Sequence, residues 1–276
     1  MSDKSKRTQI LLTNDDGINS PGLWAAAEAL SELGYVTVAA PREQSSGMGR
    51  SMPPTSDGLI KPQSLTVHGK EWTTFAVGGT PAQTVQHAIL EIMPTMPNLV
   101  VAGINYGNNF GTGVTISGTV GAALEGAAHG IPSLAVSLET DFEHHLTHST
   151  EVDFKAAAYF TTYFARHLLS QSFPEDMQVL KLEVPSTATP QTEWRMTRLA
   201  REPFYLPSAP LRSSWDEPGS TGYTIVADSS QFAQDSDVYA SIIDRVVAVT
   251  PLSQDLTARV DLIALDKQLR NGSVGG

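Results

Sequence analysis

Two short stretches carry side chains that can do chemistry together. Asn14-Asp15-Asp16-Gly17 sets two carboxylates side by side directly after an apolar run, residues 8–13, of the kind a buried strand makes. Adjacent residues of a regular strand face opposite ways, so Asp15 and Asp16 can share one cation only if the backbone turns there. Gly17 supplies that freedom. The same four residues also suit a plain Asx turn. The second stretch, Gly103-Ile104-Asn105-Tyr106-Gly107-Asn108-Asn109-Phe110-Gly111, follows the apolar run 99–102 and leads through Ser117-Gly118-Thr119 into a small-residue helix over 120–130. Amides and hydroxyls where a helix begins suit an anion, because the first helical N–H groups lack partners and the helix dipole puts partial positive charge there. A tight turn with an N-cap is the plainer reading of that loop taken alone.

Both stretches fall after strand-like runs, where open α/β sheets place their ligands. Between them, Ser20-Pro21-Gly22 opens a helix to about residue 33, with Leu23, Ala26, Ala27 and Leu30 at helical spacing, and a second strand covers 35–40. This β-α-β order implies a right-handed crossover and a parallel sheet. The polar loop 43–51 follows, and its Ser46 lies where a hydroxyl could ligate a cation near the carboxylates. Residues 53–72 predict a hairpin outside the main sheet. Strand 75–77 then reaches Gly78-Gly79-Thr80-Pro81 and a helix to about 92; strands over 98–102, 133–137 and 179–184 and a helix over 152–169 complete the alternation. The fold predicted for residues 1–188 is α/β, with a doubly wound, mostly parallel, Rossmann-like sheet.

Residues 189–250 change character, being polar, proline-punctuated and β-leaning. Their apolar side chains, among them Trp194, Phe204, Tyr205, Trp215, Phe232 and Tyr239, are spaced by turns and make a poor core, and isolated β ribbons need another surface. They are expected to form an arm for oligomerisation, with Asp235 and Asp237 near the mouth of a partner's site. Residues 251–276 are a final helix and tail.

Composition narrows the function. The chain of 276 residues has no cysteine, which excludes disulfides, thiolate zinc sites and cysteine nucleophiles. Its net charge of −11, from 29 acidic and 18 basic residues, repels polyphosphate backbones, so no polymeric nucleic acid is expected as partner. No apolar run approaches the roughly 20 residues of a membrane span, so no membrane partner and a cytoplasmic setting are expected. His144, His145 and His148 have a spacing that could offer two imidazoles to zinc. No glutamate falls between them as a zincin requires, and they read as a solvated insertion.

Taken together, the chain resembles the SurE family of stationary-phase survival proteins over nearly its whole length. The resemblance rests on Ile10-Leu11-Leu12-Thr13-Asn14-Asp15-Asp16-Gly17 with Pro21-Gly22, on Ser46-Gly47, on Gly79-Thr80-Pro81, on Gly103 to Asn109 with Ser117-Gly118-Thr119 and Glu125-Gly126, and on Val249-Thr250-Pro251-Leu252. It implies a metal-dependent 5′- or 3′-nucleotidase that hydrolyses nucleoside monophosphates, working as a homodimer or homotetramer. It also implies one divalent metal per subunit, Mg²⁺ or Mn²⁺, held by Asp15, Asp16, Ser46 and Asn105. Ser46, Asn109, Ser117, Gly118 and Thr119 become the phosphate-binding groups, and Asp15, Asp16, Asn109 and Ser117 the catalytic ones. All four metal ligands offer oxygen, which suits a hard cation. Gln83 and Ile116 depart from the family pattern, in which an acidic residue and a tyrosine are usual, and both bear on substrate preference. Two rival readings differ in chemistry: an aspartyl-phosphate phosphatase, and a nucleotide-binding or regulatory domain without catalysis. A dinucleotide oxidoreductase is disfavoured, since no Gly-x-Gly-x-x-Gly follows the first strand.

Overall fold

Every residue of β1 (Gln9–Thr13) is buried, and its side chains alternate between two cores. Ile10 and Leu12 face one hydrophobic cluster and Leu11 the other. A strand covered on both faces reads as a continuous apolar run for this reason. The computed structural model describes residues 7–67, 69–144, 147 and 149–271.

Chain order gives α1 (Pro21–Leu30), β2 (Tyr35–Pro41), β3 (Ile60–Val67), β4 (Lys70–Val77), α2 (Pro81–His87), β5 (Leu99–Tyr106), α3 (Gly118–Ala128) and β6 (Ser133–Leu138). These are followed by α4 (Lys155–Ser170), β7 (Val179–Val184), β8 (Trp194–Met196), β9 (Tyr205–Ser208), β10 (Gly222–Ile225), β11 (Val247–Leu252) and α5 (Leu262–Asn271). Nine strands form one sheet in the order β3-β4-β2-β1-β5-β6-β7-β11-β8. Its centre from β4 to β7 is parallel, while β3 and β11 run antiparallel to β4 and β7. Helices α1 and α4 cover one face through Leu23, Trp24, Phe160 and Phe164. Helices α2 and α3 cover the other through Val85, Val120 and Ala123. The doubly wound, mostly parallel α/β fold is the observed one.

Three expectations need correction. The hairpin over 53–72 does not stand outside the sheet: β4 runs on to Val77 and pairs in parallel with β2, so β3 and β4 extend the sheet at one end. The third apolar run does not stop at residue 102. Strand β5 continues to Tyr106 through an irregularity between Ala102 and Asn105 in its pairing with β6, so much of the glycine-rich stretch is strand. Gly103, at φ +132°, permits this, because a Cβ there would lie 2.4 Å from the Val136 carbonyl oxygen. Lastly, residues 189–250 do not leave the sheet as a block. Strand β8 pairs with β11, which itself runs across position 250. Only β9 and β10 form a separate two-stranded ribbon.

At the rim, Glu139 after β6 meets Arg245 before β11, with guanidinium nitrogens 3.0 and 2.5 Å from its two oxygens. Burial would raise the Glu139 carboxyl, but Arg245 and the Ser186 N–H and O–H outweigh it and hold it below the usual carboxylate range. A depressed folded-state value stabilises the fold above the unfolded carboxyl's pKa, and that contribution is lost as pH falls through the folded one. The melting temperature of the wild type should therefore exceed that of Glu139→Gln at pH 7, and the gap should close in acid. A gap that stays constant down to the acid limb would contradict the ion pair's role.

Candidate active site

The turn after β1 is closed by its own asparagine. Asn14 Oδ1 accepts from the Gly17 N–H at 3.1 Å and its Nδ2 donates to the Gly17 carbonyl at 3.1 Å. Gly17 sits at φ +94°. The Asx turn and the paired carboxylates are thus one arrangement, since the turn carries Asp15 and Asp16 out of strand geometry. Both are buried, at 4% and 2% exposure.

Asp15 points at the start of α3. Its Oδ1 accepts from the Thr119 hydroxyl at 2.5 Å, and the backbone N–H groups of Gly118 and Thr119 also bond to it. The lack of a side chain at Gly118 lets the helix come this close, because a Cβ there would lie 2.7 Å from Asp15 Cβ. The Asp15 carboxylate itself therefore occupies the helix N-terminus that the sequence suggests for an external anion. Burial raises the Asp15 carboxyl above its ordinary value, and these donors oppose the rise. Asp16 is raised well above the ordinary range, by burial first and by the charge of Asp15 second. Its Oδ2 accepts from the Tyr106 N–H at 3.2 Å, and the Gln44 amide reaches its Oδ1 at 3.5 Å.

Asn105, Ser46 and Ser117 come from three other segments. The Asn105 amide nitrogen is spent on the carbonyls of Tyr106 and Gly107, at 3.0 and 2.7 Å, leaving its oxygen to ligate. The loop after β2 is stitched to the turn by the Ser45 N–H, which donates to the Asp15 carbonyl at 2.7 Å. In that loop Gln44 Nε2 donates to the exposed Ser46 hydroxyl at 3.1 Å, which sets Ser46 one amide away from Asp16. Ser117 caps α3, its Oγ accepting from the Val120 N–H at 3.1 Å, so its hydroxyl hydrogen remains to donate. Asn109 stands apart: its side-chain amide donates to Ser137 Oγ at 2.9 Å, over β6.

Two buried carboxylates of like charge, with a carboxamide and hydroxyls around them, form an oxygen-only donor set. Burial and mutual repulsion disfavour both being ionised, and a divalent cation would offset both terms. The residues therefore fit a hard cation.

Sequence reasoning misses several residues that shape the site. Beneath the loop after β5, fully buried Lys181 bonds Glu183 at 3.0 Å and Asp237 at 2.9 Å. Its ammonium also donates to the Asn109 carbonyl at 2.9 Å, while Glu183 Oε2 accepts from the Asn109 N–H and the Asn108 amide. Asp237 in turn accepts from the N–H groups of Gly111, Ala200 and Val238. Burial pulls the Lys181 ammonium down, but Asp237 and Glu183 outweigh it and hold it above its usual value. The available signal is Lys181-Leu182-Glu183, charges at alternate positions inside an otherwise apolar strand. Asp237 is buried within this chain, and Asp235 pairs with Arg198 at the surface. Gln83 serves structure, completing the cap of α2 with Thr80 and bonding Ser56 and the Pro53 carbonyl. Ile116 is exposed beside Ser117. His144 clusters with Asp141 and Glu143, their ligand atoms within 4.8 Å of one another; His145 and His148 lie outside the described residues.

Fold and site together define a doubly wound α/β protein that sets a buried carboxylate pair against a helix N-terminus at the carboxyl rim of its sheet. The family profile described as Survival protein SurE matches residues 10–205. A relative named 5′-nucleotidase SurE from Thermococcus gammatolerans is 42% identical over 262 residues, covering 95% of this chain and 96% of its own. One of the same name from Archaeoglobus fulgidus is 38% identical over 254 residues, covering 92% and 94%. The crystal structure of the SurE protein from Aquifex aeolicus superposes with a TM-score of 0.72 at 31% identity, covering 95% of this chain and all of that one. The chain belongs to the SurE family.

Removing Lys181 should strand two buried carboxylates. Lys181→Met is expected to cost about 3–5 kcal/mol, as breaking a buried ion pair from one side does. Urea denaturation measures it, and an unmoved midpoint would contradict the network's role.

Proposed function

We propose that this chain is a 5′-nucleotidase, as its relatives are named, hydrolysing nucleoside monophosphates to nucleoside and phosphate with water as nucleophile. The observation that carries the reading is the buried Asp15–Asp16 pair set against the start of α3. In this reading Asp15, Asp16, Asn105 and Ser46 hold one divalent cation per chain, Mg²⁺ or Mn²⁺. When bound, the cation supplies positive charge to a phosphoryl oxygen and lowers the pKa of a water.

The chain's own residues do the rest. Asp16, held by the Tyr106 N–H and the Gln44 amide, is the group to orient the attacking water and take its proton. The Ser117 hydroxyl and the Asn109 amide donate to phosphoryl oxygens as charge spreads over them, while the N–H groups of Gly118 and Thr119 are engaged by Asp15. The Thr119 hydroxyl and the α3 N-terminus favour the ionised form of Asp15 against its burial, which suits it to serve as ligand.

The experiment is phosphate release from a panel of nucleoside monophosphates, with Mg²⁺ or Mn²⁺ and with a chelator. The chelator should abolish release. Asp15→Asn should lose most activity at saturating metal while keeping its circular dichroism. Chelator-resistant hydrolysis, or a fully active Asp15→Asn, would contradict the assignment.

We also propose that the protein works as a homodimer or homotetramer in the cytoplasm, through the β9–β10 ribbon and the C-terminal helix. Helix α5 supports this, because every residue of it is exposed, including Leu262, Ile263 and Leu269. Among the described residues no helix is long and apolar enough to cross a membrane. Light scattering should give a multiple of the chain mass, and a monomer at micromolar concentration would contradict the assembly.

A further inference from the structure

A cavity of about 620 Å³ opens at the carboxyl ends of β5 and β6. Its floor is formed by the ends of β5 and β6, at Gly107, Asn108 and Leu138. It begins one residue beyond the Tyr106 N–H that bonds Asp16, a Cα step of about 3.8 Å. In the nucleotidase reading, it is the neighbouring space for the rest of a substrate whose phosphate lies at Asp16.

The two walls differ in chemistry. One is aromatic, built by the β9–β10 ribbon: Tyr205 and Tyr223 meet edge to face with centroids 5.1 Å apart. The Tyr205 hydroxyl donates to the Asn108 carbonyl at 2.8 Å, which fixes that ring against the loop after β5. Tyr223 keeps 43% of its surface exposed and lines the same cavity. The other wall is mostly acidic, with Glu139, Asp141, Glu151 and Asp153, and His144 beside Asp141. Glu139 is engaged by Arg245 and Asp153 by the Lys155 N–H, whereas Asp141 stands exposed.

This composition selects what enters and which way round. A wall of carboxylates repels a phosphate, so the phosphate end of a nucleotide is directed toward the metal-binding rim and the other end toward the tyrosines. Tyrosine faces accept any flat heteroaromatic ring by stacking. Ionised carboxylates only accept hydrogen bonds, so they complement amino and imino N–H groups. Uracil, whose single ring N–H is flanked by two carbonyls, meets them poorly.

We propose that this cavity is the nucleobase subsite, taking the base of a nucleoside monophosphate and favouring bases that carry an exocyclic amino group over uracil. The inference rests on the nucleotidase reading for the position of the phosphate. Tyr205 and Tyr223 form the stacking platform, and Asp141 accepts from the amino group.

Two measurements on the full chain keep its failure separate from failure of that reading. The first is the ratio of kcat/KM for GMP to that for ribose 5-phosphate, which has the same phosphate and no base. Tyr223→Ala should lower this ratio on the order of tenfold, mainly through KM for GMP. A ratio unchanged from wild type would overturn the subsite. The second is binding of guanosine and uridine, which needs no chemistry and reads the cavity even if no phosphate is released. Wild type should bind guanosine more tightly than uridine, Tyr223→Ala should weaken both, and Asp141→Asn should narrow the difference. No guanosine binding by wild type, or binding indifferent to both substitutions, would overturn the proposal. Uridine binding as tight as guanosine would overturn its acidic-wall component.

Discussion

The Asp15 carboxylate resting on the start of α3 is the contact on which the rest of the site depends. It takes the Thr119 hydroxyl and the first N–H groups of the helix, and hydrogen bonds to a charged group are worth about 1.5–3 kcal/mol each. That contact fixes the height of α3 over β1, and Gly118 is the only kind of residue that fits between them. The next turn repeats the logic, because a Cβ on Gly121 would lie 2.3 Å from the Gly49 carbonyl oxygen. Strand β1, helix α3 and the loop after β2 thus converge on one residue, Asp15. Asp16 is left with the burial and repulsion that this arrangement creates, and these suit the pair to a cation.

A second constraint holds the opposite wall. The end of β5 carries Asn105 and the loop after it carries Asn109, and Lys181 and Glu183 grip the Asn109 backbone from below. Through Asp237 the same ion network reaches Gly111 and Ala200, and Phe110 packs with Phe204, Phe232 and Val238. The segment after β7 is therefore tied to the loop after β5 of its own chain. Tyr205, one residue past Phe204, then enters the cavity wall. The aromatic groups of that wall are thereby tied to a buried charge network.

How much of this was legible follows from where each residue's partners lie. The runs at 8–13 and 99–102 announced buried strands because both faces are covered, and Asp15, Asp16 and Gly17 announced a turn because the reason is local. The start of α3 was readable from Ser117 onward. What occupies it was not, since the contact with Asp15 spans more than a hundred positions. The β3–β4 hairpin was misplaced because its alternating half-polar pattern is the same for an end strand of a sheet and for a solvated ribbon. Lys181 and Glu183 were passed over because a buried charge makes sense only beside Asp237, in a segment whose irregular pattern looked like an arm. Gln44 and the Tyr106 N–H were invisible for the same reason: their role is a position, and residue type does not encode it.

The central claim is that Asp15 and Asp16 together form a single cation site. Calorimetric titration of Mn²⁺ into the metal-free chain tests it most directly. Wild type should bind one equivalent, and Asp15→Asn and Asp16→Asn should each lose most of that affinity while unfolding as cooperatively as wild type. Mn²⁺ binding that survives unchanged in both variants would place the cation elsewhere and contradict the account.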